Sequence, residues 1–312
     1  MKVALFGGAG GVGSSAVFNL LSTGDAYEIV VIDPRENMTV SHVMDYAQVL
    51  ELAPGASVRS GSEADLLDAD VIVATAGAPL TVNTSRMVYL EANAAILRSL
   101  AAALCAAGSP WKGVLLVVTN PVDPLVTMLQ RDTCLERHRV LGYTLNDSLR
   151  LRTGIGEALG VEPGRVDAWV VGEHGDAAVP VFSRVKVDGE PAELSAEQRM
   201  HAVDFMGSWY EKHVALDSGR SSTWTSGLGT ARMVQAIAAD DGRLLPASVM
   251  LDGEYGIYGV SLSVPVRLGP GGVREIVEWE LADDERAALG AASDSVHSAA
   301  AAASVDPAHD PA

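Results

Sequence analysis

A short apolar strand that runs straight into a cluster of glycines constrains this chain more than any other feature. Residues 2–6 alternate little and are mostly apolar, as in a strand buried on both faces. They lead into Gly7-Gly8-Ala9-Gly10-Gly11-Val12-Gly13, and a helical pattern follows through Ser22. Gly7, Gly10 and Gly13 are spaced three apart, and Gly8, Gly10 and Gly13 also satisfy G-x-G-x-x-G. Such glycines allow a sharp turn, close approach of backbone to a pyrophosphate, and tight contact between helix and strand. The helix start around Val12 adds free N–H donors and a partial positive charge. A glycine cluster alone is a weak signal, but its context supports it. A second apolar strand, Glu28 to Ile32, ends at Asp33, twenty residues beyond Gly13. An acid there can accept hydrogen bonds from an adenosine ribose and repels a 2′-phosphate, which favours NAD over NADP. Arg35 close by keeps NADP open as a second reading.

The alternation continues. The pattern predicts a helix over 38–52, strands over 56–60 and 70–75, and a polar loop after Ala76-Gly77-Ala78-Pro79 as far as Arg86. A long Ala/Leu helix to about 107 and a strand over 113–118 follow, the latter ending in Thr119-Asn120-Pro121-Val122-Asp123. A helix to about 132 and a strand over 139–142 close the unit. Alternation of this length means a doubly wound parallel sheet, whose ligands bind beyond the strand C-termini. Gly10, Asp33, Ala76, Gly77 and Asn120 all fall there.

The second half carries a different kind of signal. His174 sits in Gly172-Glu173-His174-Gly175-Asp176, a Gly-flanked segment just after the apolar run 166–171. Upstream, Asp147 and Arg150 in Asn146-Asp147-Ser148-Leu149-Arg150 are three apart, on one face of a helix expected over 144–159. An imidazole held by a carboxylate moves a proton near neutral pH, and a guanidinium grips a carboxylate through two parallel hydrogen bonds. Taken alone, the same residues read equally as a loop histidine and a helix-surface pair. Further along, residues 178–188 alternate and end at the turn Asp188-Gly189. Helices are expected over 195–217 and 282–303, with strands near 246–251, 259–267 and 273–276. Trp209 and Tyr210 read as core or interface residues.

Composition narrows the function classes. Of 312 residues, 48% are hydrophobic, enough for a substantial core, and the net charge of −18 argues against nucleic acid or an anionic membrane as partner. The acidic excess fits a saline cytoplasm and, with only four lysines, equally a GC-rich coding bias. The chain enters a strand at once, leaving no room for a signal peptide, and no apolar run is expected to reach membrane-spanning length. Cys105 and Cys134 read as two structural thiols of a reducing compartment, with no metal site, which points to the cytoplasm.

With these residues placed, the chain resembles the lactate/malate dehydrogenase family over roughly residues 2–303. The resemblance rests on the Gly-rich turn, Thr75-Ala76-Gly77, Asn120-Pro121-Val122-Asp123, Asp147-x-x-Arg150 and Gly172-Glu173-His174-Gly175-Asp176, in that order. Val179-Pro180-Val181-Phe182-Ser183 and Leu245-Pro246-Ala247-Ser248 look particularly like the lactate-dehydrogenase-like malate dehydrogenases. The resemblance implies a Rossmann-type doubly wound parallel sheet over 1–143, an α+β catalytic domain over 144–303, and a disordered tail over 304–312. It implies NAD as cofactor and a small 2-oxo or 2-hydroxy acid as substrate, with a homodimer or homotetramer as the assembly. It gives His174 the proton transfer, Asp147 the control of its tautomer, Arg150 the substrate C1 carboxylate, Arg86 the C2 carbonyl, and Asn120 the reacting oxygen and the nicotinamide ribose.

The sequence departs from the family pattern in the loop after Pro79. Malate dehydrogenases there carry an arginine six residues before the one matching Arg86, and it pairs with malate's distal carboxylate. This chain has Leu80. A carboxylate enclosed against leucine loses a buried partner, a cost of ~3–5 kcal/mol. Ser222 stands at the family's pocket-wall position, and Asn146 precedes the catalytic aspartate where leucine is common. Leu80, Ser222 and Asn146 together imply a neutral pocket for an uncharged side chain. The alternatives are a malate dehydrogenase with an atypical loop and a catalytically idle NAD-binding protein.

Overall fold

The apolar run that opens the chain is β1 (Lys2–Phe6) of a computed structural model that describes residues 1–78, 86–106, 111–218 and 222–303, with only the backbone of Arg86 and Met87. The first half proceeds as α1 (Gly11–Leu21), β2 (Glu28–Ile32), α2 (Glu36–Leu52), β3 (Ser57–Ser60), β4 (Val71–Ala74), α3 (Arg86–Ala106), β5 (Val114–Val117), α4 (Val122–Asp132) and β6 (Val140–Tyr143). These six strands are parallel, in the order β3-β2-β1-β4-β5-β6, with Leu5 paired to Val31 on one side and Val73 on the other. Being covered on both faces, β1, β4 and β5 have almost no accessible surface, which is why they read as continuous apolar runs. One face is covered by α1 through Ala16, Val17, Leu20 and Leu21. The other is covered by α3 and α4 through Leu90, Leu97, Leu104, Leu125 and Met128.

The second half comprises α5 (Leu145–Leu159), β7 (Val166–Asp167), β8 (Val170–Gly172), β9 (Ala178–Pro180), β10 (Lys186–Val187), β11 (Glu190–Pro191), α6 (Ala196–Ala215), α7 (Thr223–Ala239), β12 (Leu244–Asp252), β13 (Tyr258–Gly269), β14 (Gly272–Ile276) and α8 (Asp283–Ala303). The parallel sheet does not stop at β6. It continues antiparallel through β12, β13, β8 and β9, giving eleven strands among the described residues once β14 is counted beside β13. The seam is narrow: Tyr143 pairs with Ala247 and Gly142 with Ser248. This continuity carries the elements of the second half to the ligand edge of the first.

The apolar run 166–171 forms two short strands interrupted at Ala168-Trp169, where the Trp169 ring meets Trp279 edge-on at 5.2 Å and donates its indole N–H to Asp167 at 2.8 Å. Three expectations are corrected. The alternating stretch 178–188 is likewise split by a tight turn over Phe182–Arg184. Cys105, at the end of α3, and Cys134, after α4, are not free thiols but a disulfide. Val88–Ala106 is long and apolar enough to span a membrane, with mean hydropathy 1.3. Its leucines face the sheet, as the core side of a helix covering a buried sheet must. The expected tail 304–312 lies outside the described residues.

Candidate active site

Strands β1, β2, β4 and β5 run parallel, so the turns at their carboxyl ends gather at one edge. The glycines there divide into two jobs. Gly7, at φ +86°, takes a conformation that L side chains avoid, and a Cβ on it would come within 2.4 Å of the Ala76 nitrogen. A Cβ on Gly13 would lie 2.7 Å from the Gly7 carbonyl. These two glycines let the β1–α1 turn, α1 and the end of β4 close on one another. Gly10 has the other job: it is the N-cap of α1 and supplies no side-chain cap, so the first-turn N–H groups, with exposed Gly11 and half-buried Val12, stay available to an anion. Asp33, at the end of β2, accepts from the Ala9 N–H at 3.2 Å and from the Arg35 guanidinium at 2.8 and 2.9 Å. Burial works against its charge, but Arg35 and the backbone donors outweigh that and keep the carboxyl below its ordinary range. A helix start open to phosphate and an ionised acid at the ribose position fit NAD.

Three residues without a role in the sequence reading brace this edge. Thr75 Oγ1 donates to the Gly7 carbonyl at 3.0 Å, and Thr119 Oγ1 to the Ala76 carbonyl at 2.7 Å. Asn93, fully buried on α3, accepts from the Ala78 N–H and donates to the Asn120 carbonyl, both at 2.7 Å. It thereby ties the Ala76-Gly77 turn to exposed Asn120. A lone Asn inside an Ala/Leu helical pattern was the one available sign of such a brace, since a buried amide must be hydrogen-bonded.

The seam of the sheet brings the second half to the same edge. Asp147 lies in the first turn of α5, directly after β6. His174 follows β8, where Gly172, at φ +87°, turns the chain. The buried Ser148 hydroxyl accepts from the Val170 N–H at 3.0 Å and so fixes α5 against β8. With that spacing set, Asp147 Oδ2 meets His174 Nδ1 at 2.5 Å, the two side chains being 10% and 13% exposed. A carboxylate on Nδ1 holds the proton there and leaves Nε2 to face a substrate. Burial disfavours the imidazolium. The charge and hydrogen bond of Asp147, and then the charge of Asp123, outweigh burial and the opposing Arg150, so the His174 pKa is raised above 6.5. Arg150 reaches Asp147 Oδ1 at 3.4 Å, and its guanidinium stacks 4.3 Å from the centre of the Trp209 ring. Trp209, which reads in the sequence as core or interface, thus lays a ring face against the cation.

The remaining expected site residues are placed unevenly. Asn146 is buried, with its amide oxygen taking the Tyr143 hydroxyl at 2.8 Å and its amide nitrogen donating to Ser226 at 2.9 Å. Both ends are used by the protein itself, so it braces β6 against α7. Ser222 is the half-buried N-cap of α7, and the next residue, Thr223, lies over Gly11. Leu80 and the side chain of Arg86 lie outside the described residues. Asp123, quoted in the sequence motif without a role, accepts the His174 backbone N–H at 2.6 Å.

Comparison with known proteins identifies the family. Residues 1–142 match the model of the lactate/malate dehydrogenase NAD-binding domain, and residues 144–303 that of the lactate/malate dehydrogenase alpha/beta C-terminal domain. A malate dehydrogenase of Halobacterium salinarum is 37% identical over 297 residues, covering 94% of this chain and 96% of its own length. An L-lactate dehydrogenase of Bacillus caldolyticus is 34% identical over 287 residues, covering 89% and 90%. Among solved structures, the minor L-lactate dehydrogenase of Enterococcus mundtii superposes with a TM-score of 0.89 at 27% identity, covering 98% of this chain and 99% of its own.

Proposed function

The chain belongs to the lactate/malate dehydrogenase family, and from that premise we propose that it is an L-2-hydroxy acid dehydrogenase whose proton-transfer centre is the His174–Asp147 pair. As a member of that family it is an NAD-dependent oxidoreductase acting on the CH–OH group of 2-hydroxy acids. The observation that carries the proposal is the buried 2.5 Å contact of His174 Nδ1 with Asp147, with Arg150 alongside.

Residues 1–143 bind NAD and residues 144–303 the substrate. When bound, NAD supplies or accepts the hydride. The chain's own residues do the rest. Arg150, its guanidinium over Trp209, grips the substrate carboxylate through two parallel hydrogen bonds. That fixes the C2 oxygen toward His174 Nε2 and toward Asn120. His174 gives this oxygen a proton in reduction and takes it back in oxidation, while Asp147 stabilises the imidazolium in between. Arg86, the first residue of α3, polarises the same oxygen.

The preferred substrate is a 2-oxo acid with an uncharged side chain. Support comes from the sequence, where Leu80 stands in place of the malate-type arginine, with Ser222 at the pocket wall. The relatives carry both names, malate and L-lactate dehydrogenase, so the side chain has to be decided on this chain. In a steady-state panel with NADH, 2-oxo acids with neutral side chains should show a higher kcat/KM than oxaloacetate. Oxaloacetate ahead of the others would establish the malate reading instead, and no reduction of any member would overturn the dehydrogenase reading.

The assembly is a homodimer or homotetramer. Exposed Phe18, Met38, Met44, Trp224 and Leu228 lie on α1, α2 and α7, which pack beside one another and offer apolar surface to a second copy. Sedimentation equilibrium should give two or four times the chain mass, and a monomer would refute this. The cytoplasm is the proposed location, supported by the NAD(H)-linked reaction, with the Cys105–Cys134 disulfide unusual there.

A further inference from the structure

Asp123 has no part in the mechanism above, yet it is the most deeply buried acid near the reacting groups, with no accessible surface. It sits in the first turn of α4, directly over the seam where β6 meets β12. The helix start can come down there because Gly142 has no side chain. A Cβ on Gly142 would lie 2.4 Å from Val122 and 2.9 Å from Ser248. In that position Asp123 Oδ2 takes the His174 N–H at 2.6 Å, across 51 residues of sequence. Its Oδ1 has no partner among the described residues other than the buried hydroxyl of Ser248 beside it, which itself has no other. A fully buried carboxyl satisfied by one N–H and one hydroxyl is costly to keep charged.

We propose that Asp123 is a positioning residue of the proton-transfer histidine, a second carboxylate that anchors the His174 main chain and supplies negative charge opposite Asp147. The proposal rests on the reading of His174 as the acid/base. The histidine is then held from two sides, by Asp147 on the ring and by Asp123 on the backbone, with both carboxylates favouring the imidazolium. Of the other charged groups, Arg150 on α5 opposes that charge, and Glu173 and Asp176 flank the histidine on its own turn. Glu173 is occupied with the Ala177 N–H at 3.1 Å. Burial pushes the Asp123 carboxyl up to about 7, against the pull of Ser248 and of the His174 N–H and ring. The charge that Asp123 lends to His174 therefore grows across the neutral range.

Asp123→Asn keeps an oxygen for the His174 N–H and removes the charge. The pH limb of kcat/KM for 2-oxo acid reduction, which needs protonated His174, should then move down by about one pH unit. The corresponding limb for hydroxy acid oxidation, which needs neutral His174, should move down with it, so the variant oxidises at lower pH than the native enzyme. Ser248→Ala, which touches no part of His174, removes the hydroxyl that favours the charged carboxyl and should move both limbs in the same direction by less. Lower activity and lower Tm in Asp123→Asn with unmoved limbs would make the residue merely structural and overturn the proposal. If Asp123→Asn does not fold, unmoved limbs in Ser248→Ala overturn it. Undiminished turnover in His174→Asn would defeat the underlying reading, whereas its loss together with unmoved limbs in the other variants defeats only this one.

Discussion

Replacing His174 by asparagine should lower kcat by about 10²–10⁴-fold in both directions while leaving the affinity for NADH unchanged. Asparagine cannot carry the proton that the C2 oxygen gains or loses, and that range is what general acid–base catalysis supplies. The fold should survive, because Asp147 keeps Arg150 as a charged neighbour at 3.4 Å and the His174 main chain keeps its tie to Asp123. NADH binding should survive because the glycine turn, Asp33 and the Asn93 brace belong to other elements. Steady-state rates beside a fluorescence titration of NADH separate the two effects, and unchanged turnover would refute the assignment. The pH dependence of the native enzyme has a definite sign. With the His174 pKa raised by its carboxylates, reduction proceeds well below that value and fades as the pH rises through it, whereas oxidation does the reverse.

How much of this was legible in the sequence depends on how local each determinant is. The parallel half was legible because a strand covered on both faces has to be a continuous apolar run, and because the close approach of Gly7 to Ala76 admits only glycine. Helix α7 was not. Its sequence Thr-Trp-Thr-Ser-Gly-Leu-Gly-Thr-Ala-Arg shows no strong apolar period, since its inner face is made of small residues. A Cβ on Gly227 would lie 2.1 Å from the Ser15 hydroxyl, and one on Gly229 2.1 Å from the Tyr143 hydroxyl. Those glycines answer to the packing of α1 and β6, overriding their poor helix propensity. The site follows the same rule. Asp147 and Arg150 share one turn of helix and could be paired from their spacing, and the resemblance brought His174 to them. The contacts of Asp123 with His174, Arg150 with Trp209, and Cys105 with Cys134 join residues dozens of positions apart, and no local pattern encodes them.

Replacing Arg150 by methionine should lower kcat/KM for every 2-oxo acid by roughly a hundred- to several-thousand-fold, equivalent to ~3–5 kcal/mol for a buried charge left without its partner. The side chain is 16% exposed, so a carboxylate bound there gives up most of its water and depends on the guanidinium. Burial works against the Arg150 charge, which Asp147 helps to restore, while the Trp209 face lies against it. Methionine fills the volume and removes all of this at once. Because the carboxylate is held before, during and after proton transfer, most of the loss should appear in KM, with a smaller fall in kcat from lost orientation of the C2 oxygen. That division is the opposite of the one expected for His174→Asn, and it distinguishes a clamp from an acid. Arg150→Lys restores the charge but neither the two-pronged grip nor the guanidinium contact over Trp209, so it should recover only part of the loss. Equal kcat/KM for Arg150→Lys and the native enzyme would mean that the carboxylate meets a simple positive charge. A change in KM below about tenfold in Arg150→Met would mean that it binds elsewhere.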